Sequence, residues 1–196
     1  MGNRQSNVLI LALVILGSSV LGYNMWYKKQ LALDTNNPVV LNEETLIAKP
    51  QIGNHRPDFT LKDMIGLPRS LNEWDNKIIV LNFWATWCRP CLQEIPMFTD
   101  IQRQTSDKNI QFIGIAVDDR ATVETFLERT GMDINYPILV GNDDAIPVAV
   151  EYGNETGVLP YTVIIDAQGI IRYYHFGSID RVELETELRR ITNKTA

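Results

Sequence analysis

The sequence predicts an α/β fold in which helices cover the faces of a mixed β-sheet. Three observations carry that reading. Ile78–Trp84 and Ile110–Val117 are apolar runs suited to strands buried on both faces. Stretches with helical apolar spacing alternate with them, and Asp166-Ala167-Gln168-Gly169 is a good hairpin turn between two further strands. Strand–helix–strand, then helices, a hairpin and a last helix pack as an α/β sandwich.

The elements follow in chain order. From Gln5 to Tyr27 no side chain is charged, and Val8–Leu16 is nearly unbroken Val, Leu, Ile and Ala. Residues 1–29 therefore read as a membrane anchor, since the 23 uncharged residues Gln5–Tyr27 would span about 34 Å as a helix, against a hydrocarbon core of about 30 Å. Tyr23, Trp26 and Tyr27 stand where an interfacial aromatic belt belongs, and Lys28 and Lys29 follow. A cleavable signal peptide is the competing reading, with Arg4 before the apolar run and Gly17, Ser18 and Ser19 as small residues after it. No Cys lies there to carry a lipid. Local charge leans slightly towards a cytoplasmic body, because one arginine precedes the span and two lysines follow it. The cysteine chemistry described below outweighs that lean. Residues 30–52, with Asn37-Pro38 and Lys49-Pro50, read as a tether, and residues 53–196 as the folded domain.

Within that domain, a short strand at Phe59–Leu61 and a turn at Gly66–Pro68 precede the buried strand Ile78–Trp84. A helix from about Pro90 to Thr105 sets Cys91, Ile95, Phe98 and Ile101 along one side. Pro90 suits its first turn, where a missing N–H costs nothing, and Pro96 lies in its interior. Helices are expected at Ala121–Arg129 and Ala145–Tyr152, with strands at Tyr161–Ile165 and Ile170–Phe176. Asp180 caps a last helix, Val182 to Ile191.

Composition narrows the function. The 196 residues carry 18 Lys and Arg against 24 Asp and Glu, a net charge of −6. Residues 30–196 hold 15 basic and 24 acidic side chains, or −9. Such a body is not a general nucleic-acid binder, which needs a basic face for phosphates. Two cysteines in this length exclude a disulfide-framework miniprotein.

Those cysteines carry the chemistry. Cys88-Arg89-Pro90-Cys91 falls where a buried strand hands over to a helix. Two intervening residues let a small disulfide ring open and close without large backbone motion. Cys88, at the helix N-terminus, is expected to be exposed and to meet unsatisfied N–H groups that favour thiolate over thiol. Arg89 adds a positive charge, Trp87 flanks the nucleophile, and Cys91, one turn inside, suits the resolving role. Half a zinc site would need two further ligands, and only His55 and His175 are present, without ligand spacing. Covalent haem attachment needs His at position 92, which is Leu92. A purely structural disulfide in so tight a loop gains little chain entropy. The reading is a redox pair that requires no metal and no cofactor. Asp118-Asp119 reads as a loop and helix cap, and Asn154-Glu155-Thr156 as an incidental glycosylation match.

Further motifs join this pair. Asn82-Phe83-Trp84-Ala85-Thr86-Trp87-Cys88-Arg89-Pro90-Cys91, then Glu94 and Pro96, Gly157-Val158-Leu159-Pro160-Tyr161-Thr162 and Ile165-Asp166-Ala167-Gln168-Gly169 resemble the TlpA/ResA-like group of membrane-anchored bacterial thiol–disulfide oxidoreductases. The resemblance spans about residues 53–192. It implies a thioredoxin-like fold with a central insertion, for which Asp118–Gly157 is the candidate. It implies a cis Pro160 facing the disulfide, with the backbone of Leu159 open to substrate and Tyr161 and Trp87 as further contacts. Glu94 matches the acid that the group places near both cysteines, where it tunes their pKa values and relays a proton. Asn82 stands where many thioredoxins carry a buried Asp, which shifts that burden towards Glu94.

The resemblance further implies action on protein disulfides outside the cytoplasm as a reductant. Electrons would come from a membrane thiol reductase and pass to substrates such as apocytochrome c in cytochrome c maturation. Two other functions compete. A peroxiredoxin-like peroxidase shares the Pro57-Asp58-Phe59-Thr60-Leu61 stretch, yet needs a Pro-x-x-x-Thr-x-x-Cys setting that this chain lacks. A membrane-tethered peptide-binding scaffold would not need the cysteine pair.

Overall fold

The computed structural model describes residues 52–105 and 107–195. The anchor expected over residues 1–29, and all but the last residue of the tether, lie outside the described residues. Among the described residues no helix is long and apolar enough to cross a membrane.

Seven strands form one mixed sheet: β1 (Thr60–Asp63), β2 (Pro68–Ser70), β3 (Ile78–Trp84), β4 (Ile110–Ala116), β5 (Ile138–Val140), β6 (Tyr161–Ile165) and β7 (Ile171–Phe176). Their order is β2-β1-β5-β4-β3-β6-β7. β3, β4 and β5 run parallel, while β6 and β7 on one side, and β1 and β2 on the other, pair antiparallel. Four helices connect them: α1 (Arg89–Gln104), α2 (Arg120–Thr130), α3 (Asn142–Glu151) and α4 (Arg181–Thr195). The expected α/β architecture is therefore present. Three short elements went unforeseen: β2, β5 and a 3-10 helix at Leu71–Trp74. The stretch Asp118–Gly157 holds α2, β5 and α3, and β5 is a full member of the sheet between β1 and β4.

β3 lies inside the sheet between β4 and β6, and every one of its residues is buried. Successive side chains point to opposite faces, so its seven residues supply two cores. Ile79, Leu81 and Phe83 join Leu71, Trp74, Val148 and Tyr152 on one face, beneath the 3-10 helix and α3. Ile78 and Val80 pack on the other face against Phe98 and Ile101 of α1 and Leu184 and Leu188 of α4. Asn82 and Trp84 share this second face. Trp84 continues it into a third cluster with Ile95 and Phe126 that encloses both cysteines.

Two features set the structure around the cysteines, a helix cap and a close packing contact. Cys88, in extended conformation, is the N-cap of α1, and Pro90 falls in the first turn. Gly114 lies beneath Trp84: a Cβ there would come within 3.1 Å of Trp84 Nε1 and 3.3 Å of the Tyr136 ring. Neither ring has room to retreat in a packed interior. Gly114→Val is therefore expected to lower stability by about 1–3 kcal/mol through overpacking. Urea denaturation reads this directly, and an unchanged midpoint would contradict the packing described.

Candidate active site

The loop from Ala85 to Cys88 leads from the end of β3 to the start of α1. Cys88 and Cys91 are joined as a disulfide. The Cys91 N–H donates to Cys88 Sγ at 3.3 Å, so a donor already faces this sulfur before it carries charge. A thiolate at the same position would gain from that donor and from the N-terminal end of the 16-residue helix. Cys88 was expected to be exposed; the structure corrects this. It retains 5% of its accessible surface and Cys91 none. The closed ring ties Cys88 to a residue on the buried side of α1, which draws its sulfur into the cluster with Trp84, Ile95 and Ala116. The order of access, Cys88 before Cys91, is the expected one.

The remaining predicted residues divide by position. Trp87 is 69% exposed, and Arg89 and Pro90 are also exposed. The Leu159–Pro160 peptide bond is cis. Leu159 is half-buried against the cluster that encloses both sulfurs. Pro160 accepts a hydrogen bond from Gly177 N–H at 2.8 Å. Asn154 staples this loop from below, donating to Val158 O and accepting from Val158 N–H. That buried role, rather than glycan attachment, accounts for the asparagine. Tyr161 departs from expectation: its side chain is fully buried, its hydroxyl donates to Tyr152 O at 2.6 Å, and its ring stacks on Phe176. Tyr161 is thus a core residue whose ring does not reach substrate. Among the described residues no group of three or more His, Cys, Asp or Glu is arranged to hold a metal ion. His55 and His175 lie apart, bridged to Ile170 and seated on β7 respectively.

Beneath the disulfide lies Glu94, one helical turn beyond Cys91 and on the same buried side of α1. Asn82 Nδ2 donates to its Oε1 at 2.8 Å, and Ile179 N–H donates to its Oε2 at 3.3 Å. Asn82 Nδ2 also reaches Thr162 Oγ1 at 3.2 Å, whereas Asn82 Oδ1 is buried without a partner. Burial pushes the Glu94 carboxyl up to about 7, against the two donors that favour its charged form. A carboxyl of this kind changes protonation near neutral pH and can exchange a proton there.

One functional contact lay outside the sequence reading. Asp119 caps α2 as foreseen, accepting from Thr122 N–H and Thr122 Oγ1, both at 2.9 Å. Asp118 instead points back across the sheet and accepts from Thr86 N–H at 2.6 Å. The parallel register pairs Trp84 with Ala116, so Thr86 and Asp118 are each two residues beyond the last rung. Asp118 thereby holds the loop that presents Trp87 and Cys88.

Two measurements test this arrangement. In the disulfide form no cysteine titrates, so Glu94 is isolated by comparison with Glu94→Gln. Its folded pKa is raised, so its favourable contribution is complete below about pH 4.5 and lost as pH rises through about 7. Glu94→Gln should therefore gain stability relative to wild type over that range, by at most about 3 kcal/mol. Thermal denaturation against pH reads the difference, and a pH-independent difference would contradict the assignment. In the reduced form the same variant should lower the cysteine pKa values and flatten the pH profile of exchange. Asp118→Ala, which strips Thr86 N–H of its acceptor, is expected to cost about 1–3 kcal/mol and to slow thiol exchange, with Asp118→Asn intermediate.

Comparison with known proteins agrees with this geometry. Residues 52–174 match the AhpC/TSA family. The thioredoxin-like protein YneN of Bacillus subtilis (strain 168) is 32% identical over 139 residues, covering 70% of this chain and 79% of its own. Thiol-disulfide oxidoreductase ResA of Geobacillus kaustophilus (strain HTA426) is 28% identical over 192 residues, 97% of this chain and 99% of its own. Among solved structures, a thiol:disulfide interchange protein of the thioredoxin family from Chlorobium tepidum TLS superposes with a TM-score of 0.61 at 25% identity. It covers 72% of this chain and 98% of its own. The similarity thus extends over most of each relative's length. The chain belongs to the AhpC/TSA family, as a thioredoxin-fold thiol–disulfide oxidoreductase of the ResA-like group.

Proposed function

We propose that this enzyme reduces protein disulfides outside the cytoplasm, with Cys88 as nucleophile and Cys91 as resolving thiol. The observation that carries the reading is the buried pair at the α1 N-terminus, with Cys88 as the more accessible residue of the two and the exposed Trp87 beside it. In the reduced enzyme, the Cys88 thiolate attacks one sulfur of the substrate disulfide. That S–S bond breaks, a mixed disulfide forms, and the first substrate thiolate leaves. The Cys91 thiolate then attacks Cys88 Sγ, closing the Cys88–Cys91 bond and releasing the second substrate thiolate. Two electrons pass from enzyme to substrate, and the departing thiolates take up protons. Glu94 is placed to receive the Cys91 proton, because its carboxyl titrates near neutrality one turn away.

The closed disulfide is then reopened by a dithiol donor. A membrane thiol reductase fits that role, and apocytochrome c awaiting haem is a fitting class of substrate, by analogy with the ResA-like group. Residues 1–29 would hold the enzyme on the cytoplasmic membrane with its domain in the periplasm or an equivalent extracytoplasmic space. Cleavage of that segment would leave a soluble extracytoplasmic protein with the same chemistry. The breadth of the AhpC/TSA match keeps peroxidase activity as the reading to beat, and the paired thiols with no Pro-x-x-x-Thr-x-x-Cys setting weigh against it.

Full-length protein is expected to catalyse insulin reduction by a dithiol and to leave hydrogen peroxide unconsumed; rapid peroxide turnover with inert insulin would overturn the reading. Cys91→Ala in native cells should accumulate substrates as mixed disulfides on Cys88, identifiable by mass spectrometry. Carbonate washing and protease access in spheroplasts test the location. A protected domain would contradict the topology, and a washed-off protein lacking its first residues would establish cleavage.

A further inference from the structure

Beside the disulfide, Trp87 forms one wall of an open groove of about 540 Å³ whose other wall is α2. Thr86 and Trp87 line it from the active-site loop, and Thr122, Thr125, Phe126 and Arg129 line it from the helix. These four helical positions fall at i, i+3, i+4 and i+7 and so share one face. Phe126 is buried against Trp84 and makes the floor. The hydroxyl of Thr122 donates to Asp119 and that of Thr125 to Ala121 O, which leaves both oxygens as acceptors for a backbone N–H.

Charge distinguishes this groove from the rest of the surface. Ten arginines fall among the described residues, and seven of them form ion pairs with acids. The other three are Arg89, at the start of α1, and Arg120 and Arg129, at the two ends of α2. Arg129 lines the groove, is exposed, and makes no side-chain hydrogen bond or ion pair with another described residue. Glu124 of the same helix lies on the far face and Glu128 on the flank beside Thr125 by helical spacing, and the groove lining includes neither. Asp119 stands at the near end, with its carboxylate engaged by Thr122. Among the described residues, Arg129 is therefore the one charged side chain in the groove lining, on a chain whose net charge is −6.

Geometry gives the spacing. The Thr86–Asp118 hydrogen bond sets the N-terminal end of α2 beside the active-site loop. Arg129 lies seven residues beyond Thr122, about 10 Å further along the helix. An extended chain covers that distance in about three residues.

We infer that this groove receives the substrate segment flanking its reactive cysteine, and that Arg129 selects an acidic side chain about three residues away. The inference rests on protein disulfides being the substrates. Arg129 is on this reading a specificity residue that touches substrate away from the sulfur chemistry.

Synthetic peptides test it. Each carries a single cysteine as a mixed disulfide, with Glu or Lys at the third residue on either side. The readout is the ratio of second-order rate constants, Glu peptide over Lys peptide, for the full-length reduced protein. Wild type is expected to favour the Glu peptide by about fivefold, the worth of an exposed ion pair, and less so in high salt. Arg129→Glu should invert the ratio. Lys108→Glu makes the same change in net charge beyond the far end of α1, about 24 Å along that helix from Cys88, and should leave the ratio in place. A wild-type ratio near one, or a ratio that Arg129→Glu and Lys108→Glu shift equally, would overturn the assignment. Failure of wild type to reduce hydroxyethyl disulfide as well as both peptides would overturn the redox reading beneath it.

Discussion

Everything at this site depends on one residue being two things at once: Cys88 is both a sulfur of the Cys88–Cys91 disulfide and the N-cap of α1. A helix N-terminus presents N–H groups with no intrahelical partner, and here the Cys91 N–H is aimed at Cys88 Sγ. Negative charge on that sulfur is therefore stabilised by groups already in place. The constraint reaches backwards into β3. A strand buried on both faces delivers the loop at a fixed point, and the Asp118 carboxylate holds Thr86 so that the cap cannot drift.

Glu94 acts against the same sulfurs. Ionised, it would oppose a thiolate one turn away; neutral, it would not. Desolvation favours the neutral form, and the Asn82 and Ile179 donors favour the charged one. The outcome is a carboxyl that titrates close to neutral pH. An Asp in place of Asn82 would set two carboxyls within hydrogen-bonding distance of each other. The amide instead supplies a donor and leaves a single buried acid in the role.

The sequence revealed what hydrophobic period and cysteine spacing encode. β3 and β6 begin and end where their apolar runs do, and the last helix starts just past Asp180. β5 was illegible because Ile138–Val140 is too short to show a period, and its strand character comes from pairing with β1 and β4. Pro68–Ser70 carries no strand signal at all and is held by its register with β1. The burial of Cys88 follows from ring closure against α1, which spacing does not reveal. Asp118 and Asp119 are neighbours of one type; only the β3–β4 register separates the one that caps from the one that clamps. The Arg129 groove was equally hidden, since an exposed arginine gains meaning from what does not pair with it.

The central claim is that the α1 N-terminus makes Cys88 the reactive thiolate. Alkylation of the reduced protein, followed cysteine by cysteine against pH, measures this most directly. Cys88 should be modified first, with an apparent pKa below the free-thiol value of about 8.5. Faster modification of Cys91, or a Cys88 pKa at or above the free-thiol value, would contradict the account.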